Sequence, residues 1–152
     1  MKTASWTFLF ARALFRMVPA AMTLAAVAAA AGELRATIRN VKPQQGRLWV
    51  ALYESADAYR AERRFAGRIV DPAGPEVTVL FTGLAPGRYG VSVFQDVDGD
   101  SVLGTTLLGV PTEPYGFSRD AKAGTFGPPG FDALALAVDD GAPAATTVTL
   151  TD

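Results

Sequence analysis

The chain has 152 residues with 14 basic and 15 acidic side chains, and it contains neither histidine nor cysteine. Without these two residue types it cannot form disulfides, build the usual nitrogen- and sulfur-ligated zinc site, or supply the histidine of a serine-hydrolase triad. The balanced charge also argues against the basic surface that nucleic-acid binding requires.

Residues 1–31 have the order of a secretory signal peptide. Three basic residues and no acidic residue come first, and an almost uninterrupted apolar run follows over residues 17–31. The run is too short for a comfortable membrane span, which makes an uncleaved anchor helix the less favoured alternative. Cleavage motifs of the A-x-A type end at Ala30 and at Ala31. The sequence therefore predicts a periplasmic or secreted protein.

Residues 32–152 form the expected mature domain, with 11 basic and 15 acidic residues and a net charge of −4. A chain of this size is expected to form one domain that buries about two thirds of its unfolded surface, enough for a core without disulfides. No membrane span is expected after signal cleavage. The acidic balance again argues against nucleic-acid binding.

Alternation of apolar and polar residues dominates this domain and predicts strands rather than long helices. Ser55 as an N-cap predicts one short helix within residues 55–65, and Pro86 with Gly87 predicts a turn. Short strands spaced by roughly 8 to 12 residues are typical of sandwiches. We therefore expect an all-β fold, a single antiparallel β-sandwich of about seven strands of the immunoglobulin or prealbumin kind. The predicted strands cover residues 34–39, 48–53, 68–70, 77–82, 89–93, 133–138 and 146–150.

Residues 104–130 contain six glycines and four prolines, too many for regular structure. This composition predicts one long irregular loop, and such loops within a domain are usually functional or disordered. Aromatic side chains that would bury large areas against an end of the sandwich favour a packed loop. These residues are Tyr115, Phe117, Phe126 and Phe131.

Four segments form a recognisable combination: Leu-Ala-Pro-Gly-Arg-Tyr at 84–89, an aspartate turn at 96–100, Gly-Val-Pro-Thr-Glu-Pro-Tyr-Gly-Phe-Ser at 109–118, and Phe-Gly-Pro-Pro at 126–129. With them the chain resembles the bacterial secreted family called domain of unknown function 2141, over essentially the whole mature region. The resemblance implies an exported single-domain β protein and brings no assigned activity and no catalytic residues. The family commonly has histidine and aspartate where this chain has Gln95 and Gly104.

Asp96, Asp98 and Asp100 alternate directly after an apolar strand and resemble the opening of an EF-hand loop. A regular EF-hand is excluded because Ser101 and Leu107 stand where that loop requires glycine and glutamate. A looser Ca²⁺ site is one interpretation, with Glu113 or Asp120 as further ligands from the long loop. The alternative is a polar Asp-Gly turn that binds nothing, since aspartate often bonds its own backbone in turns. In that case no cofactor is expected.

We expect a non-catalytic module that binds an unknown protein or envelope component through residues 104–130. Glu113, Tyr115 and Phe117 are the expected contact residues. The alternative is a hydrolase of envelope glycans in which two of the clustered carboxylates act as acid and as nucleophile or base. Trp49, Tyr53 and Tyr59 could contribute to a contact surface, but a second core face is the favoured interpretation for such large aromatic side chains.

Overall fold

The computed structural model describes residues 31–124 and 127–151, so the predicted signal peptide lies outside the described residues except for Ala31. Two short helices, α1 (Ala56–Arg60) and α2 (Phe131–Leu134), and a 3-10 turn (Ser118–Asp120) accompany the strands. No helix in the described part of the chain has the length and apolar character needed to cross a membrane. The strands are β1 (Gly32–Arg39), β2 (Arg47–Tyr53), β3 (Ala66–Val70), β4 (Glu76–Leu84), β5 (Gly87–Asp96), β6 (Tyr115–Phe117), β7 (Leu136–Val138) and β8 (Ala144–Thr149).

The strands form two sheets, which confirms the predicted all-β sandwich. The smaller sheet has the order β4-β1-β8, and the larger has the order β3-β2-β5-β6, with β7 paired to the beginning of β5. One strand pair departs from the prediction of an antiparallel fold, because β8 lies parallel to β1. The reason is connectivity: β8 follows a long excursion from the other sheet, and only directly connected hairpin strands must run antiparallel.

The core lies between the sheets and is built from alternate residues of each strand. Leu34, Ala36 and Ile38 point inward from β1 and are fully buried, while Arg35 and Arg39 point outward and are exposed. Full burial of a leucine or isoleucine side chain contributes about 1.5 to 3 kcal/mol. This period of two is why the sequence pattern predicted most strands correctly.

Two predicted elements differ from the structure at their ends. Ser55 caps α1 as predicted, with its Oγ accepting a hydrogen bond from the Ala58 N–H at 3.1 Å. The helix ends at Arg60 because the chain adopts a left-handed conformation at Glu62, where φ is 52°. The strand predicted over residues 133–138 is helical up to Leu134, and β7 begins only at Leu136.

The segment 104–130 is less irregular than predicted, because β6 lies within it and pairs with the centre of β5. Gly116 permits this placement. A Cβ at this position would lie 2.8 Å from the backbone oxygen of Thr149, so a larger residue could not bring β6 this close to β8. Tyr115 and Thr151 exchange backbone hydrogen bonds and tie the segment to the C-terminal part of the chain.

Candidate functional site

Three carboxylates meet where β5 ends. One ligand oxygen from each of Asp96, Asp98 and Glu113 lies within 4.8 Å of the other two. Two oxygens bound to one Ca²⁺ at about 2.3 to 2.6 Å from the ion lie at most about 5 Å apart. The spacing is therefore compatible with a single cation between the three groups.

Asp96 is buried, with 3% of its surface exposed, and its carboxylate organises the turn that follows it. Oδ1 accepts a hydrogen bond from the Gly99 N–H at 2.7 Å, and Oδ2 accepts one from the Ser101 N–H at 3.0 Å. Oδ2 also accepts the Trp49 Nε1–H at 3.2 Å. Because a carboxylate has about four lone-pair sites, Asp96 keeps roughly one for a cation.

Glu113 closes the base of the loop. Its Oε1 accepts the Val97 N–H at 2.7 Å, and its Oε2 accepts the Gly104 N–H at 3.0 Å. Glu113, which the sequence predicts as a contact residue, is buried, with only 7% of the residue exposed. The side chain points inward and accepts hydrogen bonds from these two backbone donors, both of which are only partly buried.

The other two predicted ligands lie outside the group of three. Asp100 is exposed, and its Oδ1 accepts the Val102 N–H at 2.8 Å as in an ordinary aspartate turn. Asp120 ends the 3-10 turn, and its Oδ1 accepts the N–H of Thr149, the last residue of β8, at 2.7 Å. The candidate cation ligands are therefore Asp96, Asp98 and Glu113.

The charge of this cluster is balanced locally by backbone N–H groups. The ion pairs that arginines form in the described residues all reach other carboxylates, namely Glu33, Asp57, Asp71, Glu76 and Asp132. Hydrogen bonds from backbone N–H groups stabilise ionised carboxylates and hold them in place. The turn is thus ordered by its own contacts, and a cation would add to an arrangement that already exists.

A second candidate site is the outer face of the larger sheet. Register places Trp49 of β2, Phe94 of β5 and Tyr115 of β6 in one row across the strands, and Ala51, Ser92 and Phe117 in the next row. Helices α1 and α2 cover one end of this face through a cluster that includes Tyr53 and Phe131. The middle rows are only half-buried. Tyr53 therefore belongs to a second core face as expected, whereas Trp49 does not.

The β5 and β6 residues of these middle rows form one side of a cavity of about 920 Å³, which we call the cleft. Ser92, Phe94, Tyr115 and Phe117 line it from the sheet, and Tyr59 and Phe131 line it from the helices. A neighbouring depression of about 830 Å³ over β2 and β3 shares Ser92 and Phe94 with it and also includes Trp49. The two depressions are continuous over the sheet. Tyr115 and Phe117, both expected as contact residues, thus lie together at the cleft.

Residues 102–112, called here the finger, border the cleft. Thr105 and Pro111 form an antiparallel bridge, and the Thr106 N–H donates to the Val110 oxygen at 2.8 Å. At the tip, the side chains of Leu107 and Leu108 are almost completely exposed. The hydrogen bond from Gly104 to Glu113 joins the base of the finger to the carboxylate cluster.

Comparison with protein families matches residues 36–146 to the family described as "Uncharacterized protein conserved in bacteria (DUF2141)". The chain belongs to this family. Neither the curated proteins nor the solved structures gave a match. Membership confirms the resemblance inferred from the sequence and brings no activity, so any function must be argued from the site itself.

Gln95, which replaces the histidine common in this family, has a structural role that sequence reasoning did not identify. The side chain is fully buried. Its Oε1 accepts the Lys42 N–H at 2.9 Å, and its Nε2 donates to the Lys42 and Gln45 oxygens, both at 2.7 Å. The signal for this role in the sequence was a polar residue at an inward-facing strand position, because buried polar side chains normally form hydrogen bonds.

The Tyr59 hydroxyl is the one buried side-chain polar atom in the described residues that has no hydrogen-bond partner. Desolvation by burial, with a smaller contribution from Tyr53, raises the pKa of Tyr59 to about 12. An unpartnered buried hydroxyl destabilises a fold by about 1 to 3 kcal/mol.

We expect Tyr59→Phe to stabilise the protein by about 1 kcal/mol at neutral pH, since it removes that penalty. The unfolded chain ionises near pH 10 while the folded chain retains the proton up to about pH 12, so stability falls across this range. Tyr59→Phe should make that fall smaller. Urea unfolding between pH 7 and pH 12 would measure both effects. Tyr89→Phe is the matched control: it should destabilise, because the Tyr89 hydroxyl donates to the Ala85 oxygen at 3.0 Å.

Proposed function

We propose that this protein is an exported, non-catalytic binding module whose ligand or partner occupies the cleft. The observation that carries the proposal is a cavity of about 920 Å³ beside half-buried aromatic side chains in the middle of a sheet face. Concave sites lined by aromatic residues with a few polar groups are the usual ligand sites of proteins. Export to the periplasm or the medium is proposed from the signal-peptide pattern of residues 1–31.

The finger is proposed as the part of the binding surface that reaches a macromolecular partner. Single exposed apolar residues are common, but Leu107, Leu108 and Val110 share one ordered hairpin. Clustered apolar exposure of this kind is typical of interaction sites. The finger borders the cleft, so a partner held by the tip would also reach Tyr115 and Phe117.

We propose that Asp96, Asp98 and Glu113 bind Ca²⁺ and that the ion stiffens the base of the finger. Glu113 would both bind the ion and hold the finger, because the same carboxylate accepts a hydrogen bond from the Gly104 N–H. The remaining coordination positions would go to backbone carbonyls and water, which Ca²⁺ accepts in flexible geometry. Weak affinity suffices outside the cytoplasm.

The glycan-hydrolase alternative finds no supporting observation in the cleft. A glycosidase needs a pair of carboxylates flanking the scissile bond. Neither Asp96, Asp98 nor Glu113 is among the residues that line the cleft, and Glu62 is the only acidic residue of its lining in the described chain. The binding proposal is therefore preferred.

A ligand panel tests the binding proposal. We expect at least one class among oligosaccharides, peptides and lipids to raise the melting temperature of the full chain, because a ligand that binds only the folded state stabilises it. Ser92→Phe would fill the middle of the cleft and should abolish that shift. Thr37→Phe, at a half-buried outward position on the smaller sheet, is the matched control and should keep it. A panel without any shift in the unmodified protein would refute the proposal.

Calcium has its own prediction. With a dissociation constant of about 0.1 mM, ~1 mM Ca²⁺ should stabilise the fold by roughly 1.4 kcal/mol, or a few degrees in melting temperature. Asp98→Asn should lose this shift while retaining the hydrogen bond to the Asp100 N–H through its amide oxygen. Asp100→Asn, outside the group of three, should keep the shift. Identical melting curves with Ca²⁺ and with chelator would leave only the polar-turn interpretation.

A further inference from the structure

We infer that the cleft, together with the neighbouring depression that contains Trp49, binds carbohydrate, specifically an oligosaccharide whose ring faces lie against the aromatic row formed by Trp49, Phe94 and Tyr115. This inference rests on the proposed function and adds the chemical class of the ligand. It is carried by three features of the cleft: the arrangement of its rings, a hydroxyl group in its lining, and its position over a sheet face.

The rings of the row are positioned before any ligand arrives. The Trp49 and Phe94 rings are parallel to within 9°, with their centroids 6.0 Å apart. The hydrogen bond from Trp49 Nε1 to Asp96 Oδ2 fixes the indole orientation. The negative face of an aromatic ring attracts positively polarised hydrogens, such as the C–H groups on the face of a sugar ring. Rings that are already ordered lose little conformational entropy on binding.

The lining also offers a hydroxyl group whose hydrogen-bonding capacity is unused. The Ser92 hydroxyl lines the cleft and forms no hydrogen bond with the other described residues. A ligand that carries many hydroxyl groups supplies a partner for it. The Tyr59 hydroxyl is fully buried, so a ligand in the cleft does not reach it.

The position of the cleft disfavours the two other ligand classes, peptides and lipids. Peptides that add to a sheet bind along a free strand edge through main-chain hydrogen bonds. The cleft instead lies over the face of the sheet, where the backbone groups of β2 and β5 already pair with neighbouring strands. An acyl chain would need a closed aliphatic cavity, whereas this cleft has six aromatic side chains in its lining and continues into a second open depression.

The two depressions together set the size of the ligand. They extend from β3 across β2 and β5 to β6, which is three strand spacings. At about 4.8 Å per spacing this is about 14 Å. A surface of this width suits several linked sugar rings better than one monosaccharide.

The test is calorimetric titration of the full chain with cellohexaose, chitohexaose and maltohexaose, and with a proline-rich decapeptide and a valine-threonine octapeptide. We expect at least one hexasaccharide to bind, and Trp49→Ala to weaken that binding by about tenfold or more, as expected for loss of an aromatic anchor. Trp49→Phe keeps an aromatic ring and should bind with intermediate affinity. Phe65→Ala removes an exposed aromatic side chain outside both depressions and should bind normally.

Ser92→Ala provides a readout that a purely structural role would not give: unchanged thermal stability together with weaker saccharide binding. A Trp6→Phe background makes Trp49 the only indole, so its fluorescence should respond to the same saccharide. Peptide binding that Ser92→Phe blocks, without saccharide binding, would overturn the carbohydrate inference and leave the proposed function intact. Saccharide binding that is equal in Trp49→Ala and Phe65→Ala would also overturn it. Failure of every ligand class would reject both proposals.

Discussion

Gln95→Ala is expected to destabilise the fold by about 3 kcal/mol, since it removes the three hydrogen bonds of a fully buried amide. The amide of Gln95 joins β5 to the turn between β1 and β2 through Lys42 and Gln45. Its removal takes a hydrogen-bond partner from the Lys42 N–H and from the Gln45 carbonyl, while the Lys42 carbonyl still accepts the Gln45 N–H at 3.4 Å. Each backbone group that loses its bond costs about 1 to 3 kcal/mol where water cannot reach it. Urea unfolding of the unmodified protein and of Gln95→Ala measures the difference in free energy of unfolding. The comparison requires the same slope of free energy against urea concentration in both proteins.

Gln45→Ala is the matched control for this prediction. The Gln45 side chain is exposed, and its backbone carbonyl would still accept the hydrogen bond from Gln95. We expect a change within about 0.5 kcal/mol, as for most surface substitutions. Equal stabilities of the Gln95 and Gln45 variants would show that water replaces the three hydrogen bonds at little cost.

Gly46→Ala is expected to have the larger effect, a loss of about 4 kcal/mol, because both the backbone conformation and the available space exclude a side chain. Gly46 has a φ of +58°, which side chains disfavour, and an added Cβ would lie 1.7 Å from the backbone oxygen of Asp96. The clash is with backbone rather than with a flexible side chain, so β5 or the turn must move. Thermal and urea unfolding would measure the loss.

Gly99→Ala separates the effect of backbone conformation from the effect of the steric clash. Gly99 has a φ of +82° and no heavy atom within 4 Å of an added Cβ, so only the conformational penalty of about 1 to 2 kcal/mol applies. A Gly46→Ala variant no less stable than Gly99→Ala would contradict the close approach of the β1–β2 turn to Asp96. The comparison remains informative even if Gly46→Ala does not fold, because that outcome lies in the expected direction.

Gln95 and Gly46 both lie next to the Asp96 backbone and help to hold the carboxylate cluster in place. Gln95 directly precedes Asp96, and Gly46 lies against the Asp96 backbone. The β1–β2 turn therefore helps to determine where the Asp96 carboxylate points. That carboxylate in turn holds the aspartate turn through the Gly99 N–H and orients the Trp49 ring through Nε1. Calcium affinity and saccharide affinity should both weaken in partly destabilised variants of this turn.

The carboxylate cluster illustrates how far sequence reasoning reached. The alternation of Asp96 and Asp98 on one turn follows from local geometry, and their proximity could be predicted from the sequence alone. Glu113 could be named only as one of two further ligands, because its approach depends on how a 17-residue segment folds back. Asp100 was expected with them, but its side chain bonds the Val102 N–H instead.

The aromatic residues show the same limit. Trp49 and Tyr53 occupy equivalent outward positions in β2, so no local pattern distinguishes them. Helices α1 and α2 pack over Tyr53 and bury it, while Trp49 stays beyond their reach. Whether such a residue contributes to a core or to a binding surface is decided by which distant segment covers it.

The sequence by itself determined most of the strands, the helix cap at Ser55 and the sandwich class, because alternation and turn residues act over a few neighbouring positions. It also determined which chemistry is excluded, since residue types that are absent cannot be supplied by folding. Only the tertiary structure decided the parallel pairing of β1 with β8, the inward turn of Glu113 and the opening of the cleft. Each of these depends on contacts between residues far apart in the chain, where packing and backbone hydrogen bonding outweigh local preference.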